Sequence, residues 1–209
     1  MPDNHNAILP MFSPMAEKPK KRYHTIVADP PWDYREHRGD GPKGAGAQYP
    51  CMKADELGML PVGSWAADNA HLYLWVTNAF IVQAHRIAGY WGFEPRTLLT
   101  WVKGRIEHGR LIQHIGLGSH FRTATEHVLF CTRGSLNALN HDVPTAFIAP
   151  RTTHSEKPQT FYDLVEQVSI GPFLDVFARK QRMGWDTFGN EAFNFGTELP
   201  AERFTGSHA

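Results

Sequence analysis

A run of buried-strand character in this chain ends abruptly on an acid and two prolines. In TIVADPPWDY, residues 25–34, Thr25, Ile26 and Val27 are β-branched and suit a parallel strand covered on both faces. Pro30 disfavours helical geometry at Asp29, and Pro30 and Pro31 each fix their own φ. Neither proline carries an N–H, which leaves the carbonyls here free to face a ligand. The chain must leave the strand through a rigid turn that presents a carboxylate, a carbonyl and the Trp32 indole.

The pattern downstream alternates. HLYLWVT (71–77), RTLLTWVK (96–103), EHVLFCTRG (126–134) and PFLDVFAR (172–179) read as strands. KADELGML reads as a short helix. AFIVQAHRIAGYWG has apolar spacing near the helical period and is closed by Gly89 or Gly92. PQTFYDLVEQVS reads as a helix with Pro158 in its first turn, and GWDTFGNE closes the domain. Strands alternating with helices predict an α/β domain, one sheet with helices on both faces. Residues 35–50 and 104–125 are glycine-bearing and basic and read as two long loops, the first a lid over the strand-end turn. Residues 135–149 read as irregular. Residues 1–22 read as a flexible basic arm, 23–195 as the folded domain and 196–209 as a tail.

Composition narrows the function classes. With 209 residues and 42% hydrophobic content the chain can bury one sizeable core. Lys plus Arg equals Asp plus Glu, at 21 each, so a nucleic-acid partner would need a local basic patch. Cys51 and Cys131 are isolated, which argues against a zinc ribbon or a disulfide framework and for a reducing, cytoplasmic setting. The histidines are scattered; His108, His114 and His120 share no helical face, and no metal site is expected. The phosphate-cradling and dinucleotide glycine fingerprints are both absent, which argues against an NTPase or a nicotinamide oxidoreductase. No stretch approaches a membrane span, and the N-terminus lacks the order of a signal peptide.

In open α/β sheets ligands bind beyond the carboxyl ends of the strands. Asp29 and Asp175 both lie there. An acid near the end of a buried strand commonly holds ribose hydroxyls, and Asn190 adds an amide suited to ribose or adenine. Lys157, at the mouth of a helix, would attract a carboxylate. Together these fit a cofactor with a nucleoside and a carboxylate, such as S-adenosylmethionine. The turn at Asp29 then reads as an acceptor site. An exocyclic amine of a nucleobase is a poor nucleophile, because its lone pair is delocalised into the ring. Hydrogen bonds from its N–H groups to the Asp29 carboxylate and the Pro30 carbonyl would draw that lone pair out of conjugation. Trp32, or Tyr49 in the lid, would stack on the base. A base within a duplex would have to be flipped out.

The ordered series VADPPWDY, HLYLWVT with WGFE, LTWVK, TEHVLFCTRG, RTTHSEKP and FGNE resembles the DPPW-type adenine-N6 methyltransferases, over most of the chain from Tyr23 to Glu191. The resemblance implies a single-domain Rossmann-like methyltransferase sheet in which the acceptor motif precedes the cofactor strand. It implies S-adenosylmethionine as cofactor and the N6 amine of adenine as acceptor. It places the catalytic turn at Asp29, Pro30, Pro31 and Trp32, with Asp29 also facing the methionine part of the cofactor. Lys157 would meet the methionine carboxylate, Asp175 the ribose, and Phe177 the adenine. Arg179, Asn190 and Glu191 match positions near the nucleoside end. Glu126 and Arg151 match pocket residues beside the acceptor, where Tyr49 also falls.

Two departures stand out: the loop after the cofactor strand, ARKQRMGWD, is short, and Glu191 replaces a common Gln. No RNA-targeting zinc finger is present either, and DNA is favoured over RNA as the partner. Arg35, Arg38, Lys43, Lys103, Arg105, Arg110 and Arg122 lie on or beside the two long basic segments and are expected to form a rim that grips phosphates. The competing reading is an inactive family member acting as a nucleic-acid-binding or partner subunit.

Overall fold

The computed structural model describes residues 21–34, 51–117, 120–151 and 156–188. Residues 1–20 of the arm, the 35–50 lid with Tyr49, and Asn190 and Glu191 lie outside the described residues.

Strand β1 (Tyr23–Ala28) is followed by two short helices, α1 (Ala54–Gly58) and α2 (Val62–Trp65). Strand β2 (Ala66–Val76) leads through a 3-10 turn (Asn78–Phe80) into α3 (Ile81–Tyr90). Gly92, at φ +79°, then turns the chain into β3 (Glu94–Glu107). Strands β4 (Arg110–Gln113), β5 (Thr125–Arg133) and β6 (Ala146–Ala149) precede α4 (Gln159–Val168). Strands β7 (Phe173–Val176) and β8 (Trp185–Phe188) complete the described fold.

The sheet runs β4-β3-β5-β2-β1-β7-β8, with β6 pairing β3 off that path. Strand β1 lies parallel to both β2 and β7, and β7 is parallel to β8. Strand β5 is antiparallel to β2 and β3. Covering both faces of β1 satisfies its apolar run. Leu57, Val62, Trp65, Ala84, Ile87 and Ala88 from α1, α2 and α3 pack on one face with Ile26, Leu72 and Leu74. Phe161, Tyr162, Leu164 and Val165 of α4 pack on the other with Val27, Tyr73 and Trp75. The sheet is thus a mixed, Rossmann-like one with helices on both faces. The chain leaves β1 for β2 on one side and returns through α4 to β7 on the other. Ligand sites form outside the strand ends at such a switch point.

Three expectations are corrected. Residues 104–125 are not simply a loop: β3 runs on to Glu107 and pairs in antiparallel register with β4, from Gly104↔Gln113 to Glu107↔Arg110. His108 (φ +49°) and Gly109 (φ +73°) form the two-residue turn, both left-handed, as a tight hairpin of strand-matching twist requires. The stretch read as irregular contains β6, which pairs parallel with β3 from Thr100↔Ala146 to Lys103↔Ala149. The strand expected over 172–179 stops at Val176, because Phe177 takes φ +66° and breaks the extended run.

Candidate active site

Asp29 follows directly on β1, and its backbone N–H donates to the Val176 carbonyl at 3.3 Å. Across the adjacent ladder Val27 opposes Asp175 and Ala28 opposes Val176. The two acids singled out in the sequence therefore sit at neighbouring strand ends.

The turn itself is held by backbone bonds rather than by the prolines alone, and the proline carbonyls expected to be free are both engaged, each keeping one lone pair for a ligand. Trp32 N–H donates to the Pro30 carbonyl at 2.9 Å, and Met52 N–H donates to the Pro31 carbonyl at 2.8 Å. The Trp32 indole donates from Nε1 to the Trp75 carbonyl at 3.0 Å and stacks on Phe80, with centroids 5.0 Å apart and planes at 18°. At 6% exposure it belongs mainly to the wall that fixes the turn. One ring face is thereby taken, which counts against Trp32 as the stacking platform.

A cavity opens beside this turn, lined by Asp29, Pro30, Pro31, Tyr34, Cys51, Trp75, Trp101, Lys103, Glu126, Arg151, Lys157 and Arg179. Trp101 opposes Glu126 across the β3–β5 ladder, and Lys103 follows on the same face of β3, so all three are aimed together by register. The result is a chain of alternating charge. Lys103 Nζ lies 2.6 Å from Glu126 Oε1, Lys157 Nζ lies 3.3 Å from Glu126 Oε2, and Lys157 Nζ lies 3.0 Å from Asp29 Oδ2. Lys157 also stands over the Trp75 ring, 4.7 Å from its centroid. Its position before Pro158, which caps α4, explains its reach into the cavity. The lysine head expected at a cofactor carboxylate is thus engaged by two protein carboxylates on the acceptor side.

Electrostatics follow from burial and pairing. Burial pushes the Asp29 carboxyl up, with the Lys157 charge pulling back. Burial also opposes the Glu126 charge, but Lys157 and Lys103 outweigh it and hold Glu126 below the usual carboxylate range. Burial likewise disfavours the Lys157 charge, yet Asp29 and Glu126 raise its pKa, so it stays protonated.

A smaller cavity adjoins on the β7 side, lined by Asp29, Glu156, Lys157, Tyr162, Asp175, Phe177, Arg179 and Arg182. Tyr162 OH donates to Asp175 Oδ2 at 2.8 Å, and Arg182 Cζ stands over the Tyr162 ring, 3.4 Å from its centroid. Burial, only partly offset by the tyrosine bond, pushes Asp175 up to about 7. The left-handed Phe177 turns the chain at the cavity edge, and backbone held in a sparsely populated region clusters at ligand sites. The buried acid, the arginines and the left-handed turn of this cavity suit the nucleoside and polar tail of S-adenosylmethionine.

Other expected residues lie farther out. Arg151 Nη1 and His114 Nε2 are 3.2 Å apart at the rim, where the hairpin begins. Arg105 pairs with Glu107 at 2.5 Å, and Glu107 opposes Arg110 across the hairpin. By strand alternation Lys103, Arg105, Glu107 and Arg110 share one face, so the two arginines continue the cavity wall outward. Sequence reasoning missed Tyr34, Trp75, Trp101 and Tyr162; the last could have been found as the residue one helical turn into α4, on its buried face.

Comparison with known proteins gives the family. The MT-A70 family pattern matches residues 23–191. Type II methyltransferase M.MunI from Mycoplasma sp is 29% identical over 214 residues, which cover 92% of this chain and 88% of that protein. The human N(6)-adenosine-methyltransferase catalytic subunit METTL3 is 25% identical over 174 residues, 81% of this chain but only 28% of that protein. The N6-methyladenosine RNA methyltransferase MTA1 of Cryphonectria parasitica is 25% identical over 181 residues, 83% of this chain and 52% of that protein. The chain therefore spans most of the first relative but only about a quarter and about half of the other two. Matched by that family pattern from Tyr23 to Glu191, the chain belongs to the MT-A70 family, whose methyltransferases use S-adenosylmethionine as methyl donor.

Proposed function

We propose that this chain methylates the N6 amine of adenine in nucleic acid, with DNA as the favoured substrate. The observation that carries the reading is the Asp29–Lys157–Glu126 array at the mouth of a cavity formed at the β1 strand end. The near full-length match to a Type II methyltransferase supports DNA. The two isolated cysteines fit a cytoplasmic enzyme, with residues 23–195 as the catalytic unit.

S-adenosylmethionine supplies an electrophilic methyl on a sulfonium leaving group. The Asp29 carboxylate and the Pro30 carbonyl accept hydrogen bonds from the two N6 hydrogens and pull the lone pair out of the ring. Lys157 holds the Asp29 carboxylate in the orientation that receives them, and its charge favours the ionised acid at the moment the amine needs an acceptor. Glu126 keeps Lys157 from leaving with a ligand. Asp175 and Arg182 face the cavity that suits the nucleoside, with Tyr162 fixing the rotamer of Asp175. Catalysis here is mostly positioning. Once the new C–N bond has formed, N6 is strongly acidic and gives up a proton to water, so no dedicated base is required.

Incubating the protein with S-adenosylmethionine and either DNA or RNA, then measuring N6-methyladenine nucleosides by mass spectrometry, tests the proposal. Modified deoxyadenosine is expected. Modified adenosine in RNA alone would reverse the substrate preference. Neither product, with no heat of cofactor binding by calorimetry, would leave the partner-subunit reading.

A further inference from the structure

Four described aromatic side chains line the larger cavity, and three of them are closed to a ligand's face. Trp32, Trp75 and Trp101 are 6, 1 and 2% exposed. Trp32 stacks on Phe80, Trp75 lies under the Lys157 ammonium, and Trp101 is tied through Nε1 to the Ala149 carbonyl at 2.9 Å. Tyr34 is different. It is 39% exposed, two residues beyond Trp32, and still lines the cavity beside Asp29 and Pro30.

Tyr34 is also held in place. Its hydroxyl lies 3.0 Å from Thr77 Oγ1, at the end of β2, and its ring meets Phe80 edge-on at 5.0 Å and 80°. Phe80 in turn stacks on Trp32, so Tyr34 is coupled through one ring to the residue that fixes the acceptor turn. Burial raises the Tyr34 hydroxyl above its ordinary range, which keeps the ring neutral and its bond to Thr77 intact at working pH. An exposed aromatic ring held at its hydroxyl and against Phe80 loses little freedom when a base lies on it. That is what makes a stacking platform effective.

We propose that Tyr34 is the stacking platform for the target adenine. This rests on the methyltransferase reading above and adds the residue that seats its substrate. The ring aligns the base plane so that N6 is directed at Asp29 and Pro30, while Trp32 supports the turn from behind.

The test is steady-state methylation of genomic DNA by the full chain carrying Tyr34→Phe, Tyr34→Trp or Tyr34→Leu, with cofactor affinity measured alongside. Base–aromatic stacking predicts a loss of about fivefold to a hundredfold in kcat/KM for Tyr34→Leu. The aromatic variants should stay within about threefold of wild type, because the π-face survives. Affinity for S-adenosylmethionine and Tm should not move. A Tyr34→Leu protein as active as Tyr34→Phe, or one that loses cofactor affinity in step with activity, overturns the assignment. Should Tyr34→Leu melt early, wild-type protein irradiated with oligodeoxyadenylate containing 8-bromoadenine decides the matter. An adduct mapped to Tyr34 by mass spectrometry supports the platform, and an adduct elsewhere, or none at Tyr34, overturns it. Wild-type protein inert on both DNA and RNA adenine would instead sink the underlying methyltransferase reading.

Discussion

Lys157 Nζ lies 3.0 Å from Asp29 Oδ2, which ties the residue that opens into α4 to the acid that ends β1. The side chains are 11 and 21% exposed, so water screens the pair only in part. Glu126 completes a triad whose one cation serves two acids.

Removing that cation leaves Asp29 and Glu126 to repel each other. Lys157→Met is expected to abolish methyl transfer and to cost about 3 kcal/mol of stability at neutral pH. The penalty should shrink toward pH 5, because the freed carboxyls can then take up protons. Denaturant midpoints at the two pH values check this, and a penalty independent of pH would mean that the loss is packing against Trp75. Asp29→Ala should also abolish turnover, through loss of the N6 acceptor, with the fold intact by circular dichroism. A variant keeping most of its turnover would remove Asp29 from the acceptor role.

Asp175 carries a different pH signature. Its pKa is about 7 in the fold against an ordinary 3.8, so between those values the folded state holds the proton and the unfolded state does not. Its contribution is thus fully favourable below about pH 4 and is lost as pH rises toward 7. Asp175→Asn, which keeps an acceptor for Tyr162, should raise Tm at pH 8 while weakening S-adenosylmethionine binding by about tenfold to a hundredfold. Wild-type cofactor affinity should fall below pH 7, where the carboxylate is lost. Calorimetry across that range is the measurement, and unchanged affinity in Asp175→Asn would make this a structural acid.

A buried serine–histidine contact invites a nucleophile reading that the surroundings refute. His71 Nδ1 and Tyr73 OH each lie 2.7 Å from Ser169 Oγ, and His71 Nε2 lies 3.1 Å from the Leu136 carbonyl. Since a carbonyl only accepts, Nε2 carries the hydrogen, Ser169 donates to Nδ1, and Tyr73 donates to Ser169. His71 and Ser169 are each 1% exposed, so no substrate reaches them. Burial lowers the His71 pKa, which means stability is present above the ordinary value near 6.5 and lost as pH falls below it. His71→Gln should therefore be less stable at pH 7.5 but show a shallower decline toward pH 5.5. Ser169→Ala should keep full methylation activity, and loss of turnover with an unchanged Tm would reopen the question.

What was legible in the sequence was local. The strand ending in Asp29, Pro30 and Pro31 declares itself because sterics at each residue act on its neighbours. The helix after Pro158 does so because its apolar spacing is regular. The glycines of the β3–β4 hairpin suggest mobility and hide it, although His108-Gly109 between alternating residues carries the signal of a tight turn. Strand β6 has only Phe147 and Ala149 buried and exists through its pairing with β3. Nothing in the spacing of Asp29, Glu126 and Lys157 reveals a triad. Three separate segments must fold before their charges meet.

The hairpin gives the last prediction. Net charge is zero for the whole chain, so a grip on phosphates must be local. Arg105 and Arg110 extend the cavity face beyond Lys103, but Glu107 pairs with Arg105 and opposes Arg110, which leaves the tip with one excess positive charge among these three. Neutralising both arginines should weaken DNA binding and lower the slope of log affinity against log salt by about one to two. Cofactor affinity should stay at the wild-type value, since neither residue borders the smaller cavity. Glu107→Gln should act in the opposite sense, tightening binding and steepening the slope by freeing Arg105 for phosphate. Fluorescence anisotropy over a salt series measures all three proteins. An unchanged slope in the arginine double variant would place the nucleic-acid track on another face.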